Sequence, residues 1–163
     1  MPDHIYPSVN HIPWESLREN YSTIIFDADN TLGPWLMKEL EEVSMKPLRK
    51  LIGQEFRIGV LSNSRMIGRK LAIETKLNAL GIPLMVNAKK PMKAGYLQMM
   101  ALIHAKPETT IFVGDQWITD IVGAKRLGLK AIMVKPFSPK SEAWWSRWRR
   151  LFEWVLLKVF YQG

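Results

Sequence analysis

The sequence predicts an α/β fold built on a doubly wound parallel sheet, and two observations carry that expectation. Short apolar runs recur through residues 1–135, each ending in a polar or glycine-containing turn. Runs this apolar are covered on both faces, as the strands of parallel sheets are. Between them lie longer stretches with apolar residues at helical spacing, and strands that alternate with helices imply right-handed crossovers into one sheet.

The runs are 22–26, 57–61, 110–113 and 131–134, with 83–86 a weaker fifth. Helices are expected over about 37–52, 66–80, 92–105 and 117–127. Gly128 closes the last of these, and Pro47 kinks or interrupts the first. A chain of 163 residues with 47% hydrophobic content suits one domain, 1–163, with a core over about 20–136. The segment Lys135-Pro136-Phe137-Ser138-Pro139-Lys140 breaks the pattern and ends that core. The absence of cysteine excludes a disulfide framework and thiolate metal sites. Residues 1–6 lack a basic stretch followed by an apolar run, so the expected compartment is the cytoplasm.

In a doubly wound sheet, ligands bind beyond the carboxyl ends of the strands, so the polar turns there carry the chemistry. After the first run come Asp27 and Asp29, which extended geometry points to one side of the chain. Crowded carboxylates repel, and a hard divalent cation such as Mg²⁺ relieves that repulsion. Each Asp by itself serves equally well as a turn former. The second run ends in Ser62-Asn63-Ser64, a hydroxyl and backbone N–H groups at a helix start, suited to a phosphate or to simple N-capping. Around the weak run lies Asn87-Ala88-Lys89-Lys90-Pro91, in which Pro91 opens a helix and the Lys90 ammonium is placed to meet phosphate oxygens. The run 110–113 ends in Gly114-Asp115, with Asp120 five residues on. Both acids suit a metal site, and both also suit the start of a helix.

These four elements, in this order and each at a strand end, resemble the four motifs of the haloacid dehalogenase (HAD) superfamily over residues 22–134, with its Rossmann-like core. The resemblance implies that Asp27 is a nucleophile forming an aspartyl phosphate and that Asp29 is the general acid and base. It implies that Ser62, with Asn63 and Thr31 nearby, holds the phosphoryl group, and that Lys90 orients Asp27 and neutralises charge. Mg²⁺ would sit on Asp27, Asp115 and the backbone carbonyl of Asp29, with Asp120 as the second acidic position. The chain leaves no room for a cap: one helix stands between Thr31 and the second run, and one helix and a strand between Ser64 and Lys90. An open site of this kind expects a macromolecule or a membrane surface in place of a small free metabolite.

The formal charge is +8, and residues 121–163 supply +7 of it, nine Lys or Arg against Glu142 and Glu153. Within about 141–161, Trp144, Trp148, Leu151, Val155 and Val159 recur at helical spacing. Trp145 and Phe152 widen that face, with Arg149, Arg150 and Glu153 opposite. This is an amphipathic helix suited to a membrane surface, too short and too charged to span a bilayer. The same face suits packing on the domain or on a second copy in a homo-oligomer. Its apolar stretch 155–157 argues against nucleic acid. At finer grain, Phe26-Asp27-Ala28-Asp29-Asn30-Thr31-Leu32, Gly81-Ile82-Pro83 and Gly114-Asp115-Gln116 with Thr119-Asp120 resemble the YqeG branch of the superfamily. That branch is similar to phosphatidylglycerophosphate phosphatases, which implies an anionic phospholipid substrate and an enzyme peripheral to the inner face of a membrane. The alternatives are a soluble phosphatase for a nucleotide, sugar phosphate or phosphoprotein, and a non-catalytic interaction module.

Overall fold

A computed structural model describes residues 1–137, so the expected amphipathic helix over 141–161 lies outside the described residues. Six parallel strands form one sheet: β1 (His4–Tyr6), β2 (Thr23–Phe26), β3 (Arg57–Leu61), β4 (Leu84–Met85), β5 (Thr110–Gly114) and β6 (Lys130–Val134). Their spatial order is β1-β6-β5-β2-β3-β4. The chain therefore winds outward from β2 through β3 to β4, then returns to β5 on the other side of β2. The switch point falls between β2 and β5, where an open α/β sheet places its ligand crevice.

Alternation along each strand divides the core in two. Ile24, Phe26, Ile58, Val60 and Ile111 face one layer, in which α2 (Glu42–Gly53) contributes Leu48 and Leu51 and α3 (Lys70–Asn78) contributes Ile73 and Leu77. Ile25, Leu61 and Phe112 face the other, filled by Tyr96, Met99 and Met100 of α4 (Lys93–Leu102). The four residues of β2 are fully buried, as the sequence's apolar run required. In the first layer Trp14, on the short α1 (Trp14–Leu17), packs edge-on against Phe26 and Phe56 and donates its indole N–H to Val9.

Four elements differ from the sequence expectation. The N-terminal stretch supplies an edge strand, β1, which pairs with β6. Asp3 anchors it, accepting from the Ala131 N–H at 2.8 Å and pairing with Lys125 at 2.6 Å. The helix expected from 37 starts only at Glu42, because Leu36 has φ 56° and nearby carbonyls are claimed by side chains: Met37 O by Arg69 and Leu40 O by Lys76. It continues through Pro47, its sixth residue, without interruption. Residues 66–69 form a turn instead of helix, with positive φ at Met66 and Gly68. The expected helix over 117–127 is a π-helical turn, Trp117–Val122, followed by the single α turn α5 (Gly123–Lys125). Gly128 ends it with φ 77°, as expected of a C-terminal stop.

Only one helix separates β2 from β3 and one separates β3 from β4, so no cap domain stands among the described residues.

Candidate active site

Asp27 directly follows β2 and keeps the strand's register, its N–H donating to Val113 of β5 at 2.8 Å. Asp115 follows β5 on the adjacent strand, so pairing alone brings the two acids together at the switch point. Asp120 arrives from the π turn. Its Oδ2 accepts from the Gln116 N–H at 2.9 Å, and its own N–H reaches the Gln116 carbonyl. Gly114 is required here, because a Cβ at that position would overlap the Asp120 carboxylate. Insertions of this kind in helices are frequent at functional sites, where they re-aim one side chain.

Asp27, Asp115 and Asp120 each offer an oxygen within 4.8 Å of the others, and all three are buried. Lys90 is the counter-charge. Its Nζ lies 2.5 Å from Asp27 Oδ1 and 2.7 Å from Asp120 Oδ1, above the Phe112 ring at 5.3 Å. The ammonium does not complete the neutralisation: Asp27 Oδ2 and both oxygens of Asp115 are buried without a partner. Buried carboxylate oxygens are otherwise hydrogen-bonded, and three such orphans beside one another match the oxygen donor set of a hard divalent cation.

The electrostatics follow from burial. Desolvation, opposed by Lys90 and reinforced by Asp120, pushes the Asp27 carboxyl up to about 7. Desolvation and the charges of Asp27 and Asp120 push Asp115 up to about 9. Burial pulls the Lys90 ammonium down, yet Asp120 and Asp27 outweigh it and hold the group charged.

Without metal the folded chain retains protons on Asp27 and Asp115 that the unfolded chain, at its ordinary value of 3.8, releases. Stability from these two groups is full below about pH 4 and falls as pH rises through about 7 and then about 9, by up to about 1.4 kcal/mol per pH unit per proton. A divalent cation displaces those protons, so the rise in Tm on adding Mg²⁺ is expected to grow between pH 6 and pH 9. Thermal melts with Mg²⁺ or a chelator read this directly, and a rise that shrinks with pH would contradict it.

The Asp29 side chain takes a different place from the other acids. Arg69 grips it with both arms, NH1 to Oδ1 at 2.8 Å and NH2 to Oδ2 at 2.9 Å, and the Leu36 N–H adds a third bond at 3.1 Å. The three-carboxylate cluster therefore does not include the Asp29 side chain. Ser62 is buried with its Oγ accepting from the Ser64 N–H. Asn63 clamps the Lys90 peptide from both sides, Oδ1 accepting from its N–H at 2.6 Å and Nδ2 donating to its carbonyl at 2.9 Å. Thr31 is buried with its Oγ1 unpartnered, and it lines a cavity of about 30 Å³ with Ser8, Asn10, Ser44 and Phe137, away from the acid cluster.

Two residues that sequence reasoning passed over also shape the site. Tyr96 donates its hydroxyl to the Thr119 carbonyl and so fixes the turn that carries Asp120. Arg69 ties Asp29 to the Met37 carbonyl and to Ser64 Oγ, joining the loops after β2 and β3. Nothing in the sequence separates Arg69 from its exposed neighbour Arg65. Arg69→Met is expected to cost about 3 kcal/mol, because it leaves the nearly buried Asp29 carboxylate unpaired. Arg69→Lys should recover only part, since an ammonium cannot reproduce the two-armed grip. Urea midpoints check the ranking, and hydrogen exchange at the Leu36 amide should accelerate in both variants.

The HAD-hydrolase-like family model matches residues 87–136. The "Probable phosphatase YqeG" of Bacillus subtilis is 30% identical over 160 residues, 98% of this chain and 90% of that one. The chloroplastic phosphatidylglycerophosphate phosphatase 1 of Chlamydomonas reinhardtii is 28% identical over 151 residues, 87% of this chain but 55% of that longer protein. Among solved structures, the cobalt-bound deoxy-D-mannose-octulosonate 8-phosphate phosphatase YrbI of Haemophilus influenzae superposes with TM-score 0.52 at 14% identity, covering 74% of this chain and 81% of that one. That likeness speaks for the fold.

Proposed function

From the premise that this chain belongs to the HAD-like hydrolases, with a phosphatase relative matching nearly its whole length, we propose that it is a Mg²⁺-dependent phosphomonoesterase acting through an aspartyl phosphate on Asp27. The observation that carries this is the set of orphaned oxygens on Asp27 and Asp115 beside Lys90 and Asp120. Asp27 and Asp115, with Asp120 close by and the Asp29 backbone carbonyl, are the residues to hold the cation. Bound there, Mg²⁺ supplies positive charge against the transferring phosphoryl oxygens.

Lys90 holds the Asp27 carboxylate in place through Oδ1, and that carboxylate attacks phosphorus. The phosphorus–oxygen bond to the substrate alkoxide breaks as the new bond to Asp27 forms, and Asp29 gives the alkoxide its proton. Asp29 next takes a proton from water, whose oxygen attacks the same phosphorus and restores the Asp27 carboxylate. One arm of the Arg69 pair has to open for Asp29 to carry that proton, which makes the Arg69 contact part of the cycle. Ser62 directs its hydroxyl to a phosphoryl oxygen, and Asn63 fixes the backbone of Lys90.

The substrate we propose is phosphatidylglycerophosphate, cleaved to phosphatidylglycerol at the inner face of a membrane. Three facts support it: the site lacks a cap among the described residues, the sequence carries a basic surplus, and the chloroplastic relative bears that name. No helix among the described residues is long and apolar enough to cross a membrane. The test is Mg²⁺-dependent phosphate release from vesicles of this lipid beside soluble monoesters, with Asp27→Asn as blank. Preferential release from the lipid is expected. A strong preference for a soluble ester would overturn the lipid assignment and leave the phosphatase intact.

A further inference from the structure

Several of the segments that follow the carboxyl ends of the strands and carry the site also carry large apolar side chains that the fold leaves in solvent. Trp35, Leu36, Ile67, Met92 and Ile118 all belong to segments that leave the carboxyl ends of strands, and Ile67 is 85% exposed, Met92 65% and Trp35 62%. Each lies next to a catalytic element. Leu36 donates its N–H to Asp29, and Trp35 precedes it; Ile67 stands two residues before Arg69, which grips Asp29. Met92 follows Lys90 by two residues and Ile118 precedes Asp120 by two, and Lys90 Nζ bridges Asp27 and Asp120. Packing around the acids thus fixes the backbone of every one of these segments while their large side chains face outward. Of the other exposed apolar residues, Val43, Leu71, Leu97 and Leu102 lie scattered on helices, Ile5 is on the edge strand β1, and Met1 and Phe137 lie at the two ends of the described residues.

The same rim carries cations. The segment between β3 and α3 exposes Arg65, and the segment between β4 and α4 exposes Lys89, with Lys93 just beyond; neither segment contains an acid. Lys38 is exposed beside Leu36, and Glu39 on that loop is already paired with Lys76. Apolar side chains interleaved with basic ones suit the interface of an anionic bilayer, where the former enter the headgroup boundary and the latter meet lipid phosphates.

We propose that this rim is a membrane-docking surface that seats the catalytic mouth directly on an anionic bilayer, so that a lipid phosphate enters between Ile67 and Met92 without leaving the membrane. The proposal rests on the lipid-phosphatase assignment and adds a contact distinct from residues 141–161.

Because the chain has no cysteine, one introduced thiol gives one labelled position. Ile67→Cys and Met92→Cys carry an environment-sensitive fluorophore in the full chain, and Glu108→Cys, exposed at the amino end of β5, serves as the distal control. Vesicles of phosphatidylglycerol are expected to blue-shift and brighten the labels at 67 and 92 and to leave that at 108 unchanged, with little response to phosphatidylcholine alone. Ile67→Glu combined with Met92→Glu should weaken vesicle binding about tenfold or more and leave the Tm unchanged. If the chain sediments with vesicles and cleaves the lipid while both rim labels keep their aqueous emission, the rim proposal fails and the lipid assignment stands. If the rim labels respond while phosphatidylglycerophosphate is not hydrolysed, the docking surface stands and the substrate assignment fails. A shift produced by raising protein concentration without vesicles would assign the rim to a contact between copies and overturn the proposal.

Discussion

Replacing Asp27 with Asn is expected to lower turnover by on the order of 10⁴-fold or more, since removal of a nucleophile eliminates the covalent route altogether. The substitution is close to isosteric, so an amide oxygen still accepts from Lys90 where Oδ1 does now. What disappears is the negative charge of the carboxylate, whose Oδ2 lies buried without a partner, and with it the nucleophile. Folding should survive, because one of three crowded carboxylates has been neutralised. In the metal-free protein at neutral pH, the Tm of the variant is expected to equal or exceed that of the parent. Phosphate release from any monoester within tenfold of the parent would remove Asp27 from the nucleophile's place.

Lys90→Met should damage stability and catalysis together. Lys90 is 5% exposed and holds two buried carboxylates at once. Methionine fills similar volume but leaves Asp27 and Asp120 facing Asp115 with no counter-charge, and removing one partner from a buried ion pair costs about 3–5 kcal/mol. The loss should deepen as pH rises, because carboxyls already pushed up by burial lose their protons as pH increases. Mg²⁺ is expected to recover part of the stability, since a cation on the same oxygens neutralises the same charges, and little of the activity. Urea midpoints at two pH values with and without Mg²⁺, beside phosphate-release rates, separate the two effects. A variant as stable as the parent at high pH without metal would show that Lys90 does not offset the acids.

The strands were legible in the sequence because burial on both faces leaves an unbroken apolar signature, and 22–26, 57–61 and 110–113 fall on β2, β3 and β5 within a residue. β1 was not legible: three residues, His4–Tyr6, with the first two exposed, leave no pattern, and the strand depends on Asp3 reaching Ala131 and Lys125 far along the chain. Helix starts were misjudged where side chains take up backbone carbonyls, as Arg69 does at Met37 and Lys76 at Leu40. Local propensity carries no trace of such long-range bonds. Asp27, Lys90, Asp115 and Asp120 were legible as a set because each terminates a recognisable strand or opens the next turn, and the sheet order brings those ends together. The π turn that aims Asp120 has the periodicity of a short helix in sequence, and only the close approach of Gly114 distinguishes it. Asn63 shows the same limit. Its position beside Ser62 suggested contact with phosphate, whereas its amide is occupied by the peptide of Lys90.

The measurement that bears most directly on the proposed chemistry is chemical trapping of the covalent intermediate. The full chain, turning over a phosphomonoester with Mg²⁺, is quenched with borohydride, whose hydride reduces an acyl phosphate to the alcohol and expels phosphate. Peptide mapping is expected to find homoserine in place of Asp27 and unmodified aspartate at Asp29, Asp115 and Asp120. Homoserine at another of these positions, or unmodified Asp27 in a protein that is releasing phosphate, would contradict nucleophilic catalysis by Asp27.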